Sequence, residues 1–195
     1  STYAANSVSN GGLLISRFGI GTSFADAGVA IGNSVGRFNS GQNNVAIGPS
    51  AGYRGSYSNN QIAIGDSSNS GGAAYSKTAS IGVGTNSNYN GGANTTSVGT
   101  YTGVNSPSSY TNSAFFGYAA GNSGGNNSVF VGYAAGKSDG VQLVDNTVAV
   151  GYEALTALTT GAGNTAVGYQ ASDAMTVSAY TTALGYQALS SVNAT

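Results

Sequence analysis

Five tyrosines in the second half of the chain each directly follow a glycine and recur every 15 to 19 residues: Tyr118, Tyr133, Tyr152, Tyr169 and Tyr186. If equivalent positions lie above one another, the five rings form a ladder. An aromatic face beside Asn and Gln amides suits the binding of neutral glycans. Alternatively, the rings stack on one another and shield the glycine that precedes each of them. Both interpretations predict the ladder, but only the first predicts a ligand.

Other chemistry is excluded or weakly supported by the residue types. The chain contains no His and no Cys, so one chain cannot assemble a Ser-His triad or a zinc site. The six acidic residues share no repeated position that would provide a carboxylate pair for glycoside hydrolysis. We interpret residues 139–145, which begin and end with Asp, as a solvated loop and not as a calcium loop. The sequence therefore predicts no catalytic residue, no metal site, no cofactor and no enzymatic activity.

One glycine-rich segment is similar to a phosphate-binding loop. Residues 132–138 read Gly-Tyr-Ala-Ala-Gly-Lys-Ser, which is one spacer residue short of the phosphate-binding pattern. We interpret this segment as an ordinary repeat with a lysine in its loop.

The amino-acid composition argues against some classes of binding partner. Of the 195 residues only 6% are charged, and the net charge is −1, which argues against nucleic acid and anionic membranes as partners. No apolar run approaches the roughly 18 residues that cross a bilayer, so we predict no membrane insertion. The 32 glycines, together with abundant Asn, Ser and Thr, favour an extracellular or virion-exposed protein.

The elements that carry the tyrosines are copies of one short repeat. An apolar residue precedes a glycine ten times, at Gly32, Gly48, Gly65, Gly82, Gly99, Gly117, Gly132, Gly151, Gly168 and Gly185. Intervals of 15 to 19 residues predict an array of one structural unit.

Each unit predicts one coil of a β-solenoid. The residues before the glycine alternate with period two and are β-branched, which predicts a short strand. The glycine ends that strand at a corner that needs a positive φ or close backbone approach. A second short strand and a polar loop would complete the coil. The small residue three after the glycine would point inward: Val35, Ala51, Ser68, Thr85, Thr102, Ala120, Ala135, Ala154, Ala171 and Ala188.

The domain organisation follows from the repeat. Residues 28–195 form the repeat domain of about ten coils. Residues 1–27 depart from the pattern and are interpreted as an N-terminal cap or a degenerate first coil, since an uncapped solenoid exposes a strand edge.

A single coil is too thin to be stable alone. Burying its two aliphatic side chains, the Val and Ile that flank the central strand residue, stabilises it by roughly 3–6 kcal/mol. Ordering the unit costs about 25 kcal/mol. A second burial surface is therefore expected, and we predict a homotrimer. The strand residue two before each glycine would face the sister chains, with Phe115 and Phe130 as bulky exceptions among small residues: Ala30, Ala46, Ala63, Ala149, Ala166 and Ala183.

Two of the units resemble known repeats. Residues 44–51, Asn-Val-Ala-Ile-Gly-Pro-Ser-Ala, resemble the head repeats of YadA-like trimeric autotransporter adhesins. Residues 164–171, Asn-Thr-Ala-Val-Gly-Tyr-Gln-Ala, resemble repeats of bacteriophage tail fibres and bacterial surface fibres. The resemblance covers about residues 28 to 190 and implies a left-handed parallel β-roll, intertwined or side by side in a homotrimer. The repeats are longer than those of adhesin heads, and no coiled-coil heptads are present, which favours the tail fibre.

The resemblance implies a structural fibre segment of a tail fibre that contacts a host-surface glycan or protein, located on the virion or bacterial cell surface. A bacterial adhesin head and a passive shaft or filament subunit are the alternatives. Ice binding is disfavoured because Thr lies three before the glycine only in scattered units, at Thr96, Thr165 and Thr182.

Overall fold

The fold is a parallel β-solenoid, as the repeat predicts. The computed structural model describes residues 28–35, 43–53, 59–71, 79–89, 92–104, 111–122, 124–137 and 144–191, and the backbone of 13–16. Within these residues eleven short strands form one sheet and no helix occurs. The strands are β1 Leu13–Ser16, β2 Val29–Gly32, β3 Val45–Ile47, β4 Ile62–Ile64, β5 Ile81–Val83, β6 Thr96–Val98, β7 Ala114–Phe116, β8 Val129–Val131, β9 Val148–Val150, β10 Thr165–Val167 and β11 Thr182–Leu184.

Each strand pairs in parallel with the next strand along the chain. The sheet therefore grows by one strand per coil, and eleven strands at about 4.8 Å spacing extend over roughly 50 Å. β1, which lies in the predicted N-terminal cap, pairs with β2 in the same register as the later coils, with Leu13 opposite Val29. The described residues contain no helix long and apolar enough to cross a membrane.

The register corrects the predicted repeat at one unit. Ile62 pairs with Ile81 and Ala63 with Gly82, so Gly82 occupies the strand centre and Gly84 is the repeat glycine. The buried residue three after this glycine is consequently Ser87, whereas Thr85 is exposed. The sequence prediction was wrong here because the unit contains two glycines in alternation and the first one fits the apolar-glycine motif equally well.

The two faces of the strands are reversed relative to the prediction. The residue two before the repeat glycine points into the coil and is buried, as Ala30, Ala63 and Phe115 show with 0 to 1% exposure. The flanking Val and Ile residues lie on the outer face and are half-buried or exposed. The coil is so narrow that its interior mostly admits small side chains, so the alanines fill it and do not meet sister chains.

A turn replaces the predicted second strand. The residues two and four after the repeat glycine adopt left-handed backbone, as in Gln170 and Ser172 with φ of 49° and 54°. Two such residues separated by one bend the chain sharply and prevent extended pairing. The residue between them points inward, as predicted, and Ala171 is 0% exposed.

The repeat glycines satisfy both predicted requirements. Gly48 has φ of 122°, a conformation that residues with a side chain rarely adopt. A Cβ at Gly48 would also lie only 2.7 Å from the carbonyl oxygen of Gly65 in the next coil. The glycines therefore stack directly on one another, which sets the spacing of the corner.

The interior changes character along the solenoid. A small apolar cluster includes Ala30, Val35 and Ala51, and a larger one includes Phe115 and Phe130. Between them the coil is filled with buried polar side chains, all at most 2% exposed and all hydrogen-bonded except that of Ser97: Ser68, Asn69, Ser70, Ser80, Ser87, Asn88, Thr95, Ser97 and Thr102.

Candidate functional site: the tyrosine corner

The five predicted tyrosines form one continuous ladder at the glycine corner. Successive ring centroids from Tyr118 to Tyr186 lie 5.3, 5.0, 5.2 and 5.1 Å apart, and the interplanar angles are 8 to 10°. The prediction of a ladder is confirmed.

Backbone pairing holds the rings in line. From Tyr133 onward, the amide of the residue after each tyrosine donates to the carbonyl oxygen of the tyrosine one coil earlier. Examples are Gln170 N to Tyr152 O and Gln187 N to Tyr169 O, both 2.8 Å. Because the backbone on both sides of each ring repeats from coil to coil, it holds neighbouring rings in equivalent positions, and the rings stack.

The mutual stacking decides which part of each ring a ligand can reach. The faces of Tyr133, Tyr152 and Tyr169 are covered by the rings above and below, while 42 to 46% of each residue remains exposed. The surface open to solvent consists of ring edges and phenol hydroxyls. A sugar therefore meets a strip of edges and hydroxyls at these rings and not a free aromatic face.

One aromatic residue beside the ladder was missed by sequence analysis. Tyr101 contacts Tyr118 edge-on, with centroids 6.0 Å apart and an interplanar angle of 84°. It lies two residues after Gly99, whereas the ladder tyrosines lie one residue after their glycines. This shift of one position excludes Tyr101 from the column, and its ring closes the lower end of the ladder edge-on.

A second ladder, of amides, runs beside the last three tyrosines. Gln187 Nε2 donates to Gln170 Oε1 at 3.1 Å, and Gln170 Nε2 donates to Glu153 Oε2 at 2.9 Å. We call Glu153, Gln170 and Gln187 the amide ladder. The amide ladder could have been recognised from the sequence. The position two residues after the repeat glycine carries Glu or Gln only in the last three units.

Glu153 also changes the acidity of one rung of the tyrosine ladder. The negative charge of Glu153 raises the pKa of the Tyr152 phenol above its ordinary value, with smaller contributions from burial, from a hydrogen bond to Glu153 and from the neighbouring tyrosines. The Tyr152 hydroxyl thus keeps its proton, and its capacity to donate a hydrogen bond, to higher pH than a free tyrosine.

An asparagine ladder lies on another edge of the coil, five residues before the repeat glycines. Asn94 donates to Asn112, and Asn112 to Asn127, over 3.1 and 3.3 Å. These residues have φ of 53 to 57°, which Asn tolerates better than most residues. Their amides are used in bonding one another, so the ladder has a structural role.

The acidic residues do not form a cation site in the described part of the chain. Asp145 Oδ1 accepts hydrogen bonds from the backbone amide and the side chain of Asn126, at 2.7 and 3.1 Å, so it ties two coils together. The rest of the predicted solvated loop, residues 139–143, lies outside the described residues. Among those described, no three His, Cys, Asp or Glu side chains come together as metal ligands.

Comparison of the chain with protein-family models, with curated proteins and with solved structures found no match.

Proposed function

We propose that this chain is a structural segment of a surface fibre, of the bacteriophage tail-fibre kind, that extends from its attachment point and contacts a host-surface glycan or protein. The observation that supports this most is the tyrosine ladder: an unbroken row of exposed ring edges and hydroxyls on a stiff parallel solenoid. Such a row repeats the same contact every coil, which suits repetitive ligands and multivalent binding. The head of a bacterial trimeric adhesin is the alternative, and the proposed location is the virion or bacterial surface.

The proposal includes a homotrimer, and the reversed strands change the surface expected to form it. The outer face of the sheet carries an apolar residue at most positions, including Ile62, Ile64 and Phe116 with 36 to 39% exposure. Contiguous exposed apolar surface of this kind marks interaction sites. The sister chains are therefore expected to pack on these Val, Ile and Phe side chains and not on the alanines.

Sedimentation equilibrium tests the assembly. We expect three times the chain mass of 19.1 kDa, and the double variant Ile62→Ser with Ile64→Ser should shift the equilibrium towards monomer. The matched control is Thr165→Ser with Thr182→Ser, which alters the same face but removes no large apolar group. A monomeric wild-type chain would contradict the trimer.

Cell binding tests the display role. Fluorescently labelled protein is titrated onto a panel of bacterial strains, with and without periodate oxidation of surface polysaccharide and with and without protease treatment. We expect saturable binding that one of the two treatments abolishes and that Tyr133→Ser with Tyr152→Ser weakens. The control Asn112→Ser with Asn127→Ser removes two exposed rungs of the asparagine ladder and should bind as the wild type does. Absence of binding to every strain would reduce the chain to a passive shaft.

A further inference from the structure

A notch interrupts the surface beside the lower part of the tyrosine ladder. Its volume is about 310 Å³, and it is lined by Tyr118, Ala119, Tyr133, Ala134, Lys137, Glu153 and Thr156. Pockets that hold small ligands range from about 300 to 1,000 Å³. The notch is therefore of a size for one small ring and not for a long chain.

The notch exists because one column of side chains changes length. Two residues after the repeat glycine, the last three coils carry the long side chains of the amide ladder, and the two preceding coils carry Ala134 and Ala119. The backbone does not change with them, since the φ of Ala134 is 52° and those of Glu153 and Gln170 are 53° and 49°. The amide ladder thus ends at Glu153. In the two coils that precede Glu153 along the chain, the space that longer side chains would have filled is open.

The lining of the notch combines apolar and polar groups. Ala119 and Ala134 lie among its lining residues and are small and largely buried, each 5% exposed. The rings of Tyr118 and Tyr133 form one side. Lys137 supplies an ammonium donor and Glu153 a carboxylate acceptor. The Thr156 hydroxyl donates to the carbonyl oxygen of Glu153 at 3.2 Å, so it offers a ligand an acceptor oxygen. A sugar ring has the complementary arrangement, with C–H groups on its faces and hydroxyls around its edge.

The charges indicate which sugars fit. Lys137 is the only cationic side chain among the described residues, and the carboxylate-bearing Glu153 lines the same notch. An anionic ligand attracted by Lys137 is repelled by Glu153, and a cationic ligand meets the opposite combination. A neutral ligand uses both groups as hydrogen-bond partners without such opposition.

We propose that this notch binds a single neutral pyranose ring of a surface glycan. The ring lies against the exposed edges of Tyr118 and Tyr133, in the space that the short side chains of Ala119 and Ala134 leave open, while its hydroxyls bond to Lys137, Glu153 and Thr156. This inference rests on the proposed display function and narrows glycan recognition to one subsite within the tyrosine corner.

Extending the amide ladder by one rung tests the proposal. Ala134→Gln places a Gln where the next three coils already carry Glu153, Gln170 and Gln187, so the backbone conformation is compatible and the side chain fills the notch. The matched control is Ser50→Gln, since Ser50 occupies the same column with φ of 53° and lies outside the notch. Circular dichroism and thermal unfolding establish that both variants fold.

Binding is measured by saturation-transfer difference NMR and calorimetric titration with the methyl glycosides of glucose, galactose, mannose and N-acetylglucosamine. Glucuronic acid and glucosamine serve as charged comparators. We expect a neutral glycoside to bind the wild type and the Ser50→Gln control equally, and to bind Ala134→Gln at least tenfold more weakly. Lys137→Met should also weaken binding, which keeps the test decisive if Ala134→Gln fails to fold.

Three outcomes would overturn the proposal, and they separate it from the proposed function. Equal affinity of Ala134→Gln and the wild type would remove the notch as the subsite. Tighter binding of glucuronic acid or glucosamine than of every neutral glycoside would refute the assignment to neutral sugars. If no saccharide binds but periodate still abolishes cell binding, the assignment of the notch as a sugar subsite is wrong and the proposed display function stands. If cell binding itself is absent, the proposed display function fails.

Discussion

The middle and the C-terminal part of the solenoid have the same backbone coil but opposite interiors. Around Asn69 and Ser87 the coil is held by hydrogen bonds: Asn88 Nδ2 donates to Asn69 Oδ1 at 2.6 Å, and Ser87 Oγ donates to Ser97 O at 2.6 Å. From Phe115 onward it is held by packing, and the Phe115 and Phe130 rings stack 5.4 Å apart. Stacked glycines and parallel pairing therefore set the shape of the coil, while its filling is free to vary.

In each interior, the size of the strand side chain is matched to the size of the residue that faces it from the turn. A Cβ at Gly121 would lie 2.5 Å from the Phe115 ring, so the large ring in the strand requires a glycine in the turn, four residues after the repeat glycine. In the polar part the relation is reversed, since a Cβ at Gly82 would lie 2.7 Å from Ser68 Oγ and 3.1 Å from Asn69 Cγ. A large residue on one wall is thus compensated by glycine on the other.

The largest expected effect tests the apolar interior and the orientation of the strands together. Phe115→Ala should lower the free energy of unfolding by about 3–5 kcal/mol, because it empties a packed site whose neighbour is already glycine. Its chain neighbour Phe116 lies on the outer face with 39% exposure, so Phe116→Ala should cost the fold much less and weaken chain association instead. Urea denaturation and sedimentation of both variants provide the measurement. The reverse order of stabilities would mean that the outer face encloses the core.

An exchange of residues at one equivalent position tests whether the two interiors are interchangeable. Leu155→Asn places an amide in the apolar cluster and should cost about 2–4 kcal/mol, since a buried amide without partners is unfavourable. The cost is reduced because Asn tolerates left-handed backbone better than Leu, and Leu155 has φ of 55°.

The reciprocal variant Asn69→Leu should cost about 1–3 kcal/mol. It removes the bonds from Asn69 Nδ2 to Ile62 O and from Asn88 to Asn69, and buried groups left without partners are destabilising. Denaturant unfolding of both variants compares them directly. An unchanged midpoint for either one would show that the interior chemistry is not specified at this position.

Two serines in the polar interior should respond differently to the same substitution. Ser87→Ala removes a bond to Ser97 O and a contact of 3.0 Å with Thr102 Oγ1, at a cost of about 1–2 kcal/mol. Ser97→Ala removes a buried hydroxyl that has no partner among the described residues and places alanine where most coils have it. We expect it to be neutral or stabilising in thermal unfolding, and equal destabilisation by both would contradict the hydrogen-bonded core.

The smallest effect concerns the tyrosine ladder, which the apolar part carries and the middle lacks. Glu153→Gln should lower the pKa of Tyr152 towards its ordinary value of 10.0, measured by ultraviolet titration with Tyr152→Phe to assign the signal. Because the folded chain holds this proton more tightly than the unfolded chain, the related stability is present below pH 10 and is lost as pH rises through the folded pKa. The wild type should therefore lose more stability than Glu153→Gln above pH 10, and identical alkaline profiles would contradict the coupling.

Much of the fold could be predicted because repetition is visible in sequence. The parallel solenoid, the glycine corner and the alignment of Tyr118 to Tyr186 follow from in-phase copies of one unit, since equivalent residues must stack. Two of the errors, the choice of Gly82 as the repeat glycine and the choice of the buried strand face, share a cause: a local pattern with two equally good solutions. Gly82 and Gly84 both suit the motif, and only pairing with β4 distinguishes them. The notch was not predictable, because it arises from side-chain lengths in neighbouring coils.

The sequence by itself determined that the chain coils, where it turns and which residues share a column, because these depend on period and on glycine. Only the tertiary structure decided which side of each strand encloses the core. Period-two alternation defines two faces but does not rank them, and the narrow coil admits the alanines while leaving Val and Ile outside. The tertiary structure likewise decided that the faces of the tyrosine rings stack on one another and are closed to a ligand, because the spacing between coils is close to the stacking distance of aromatic rings.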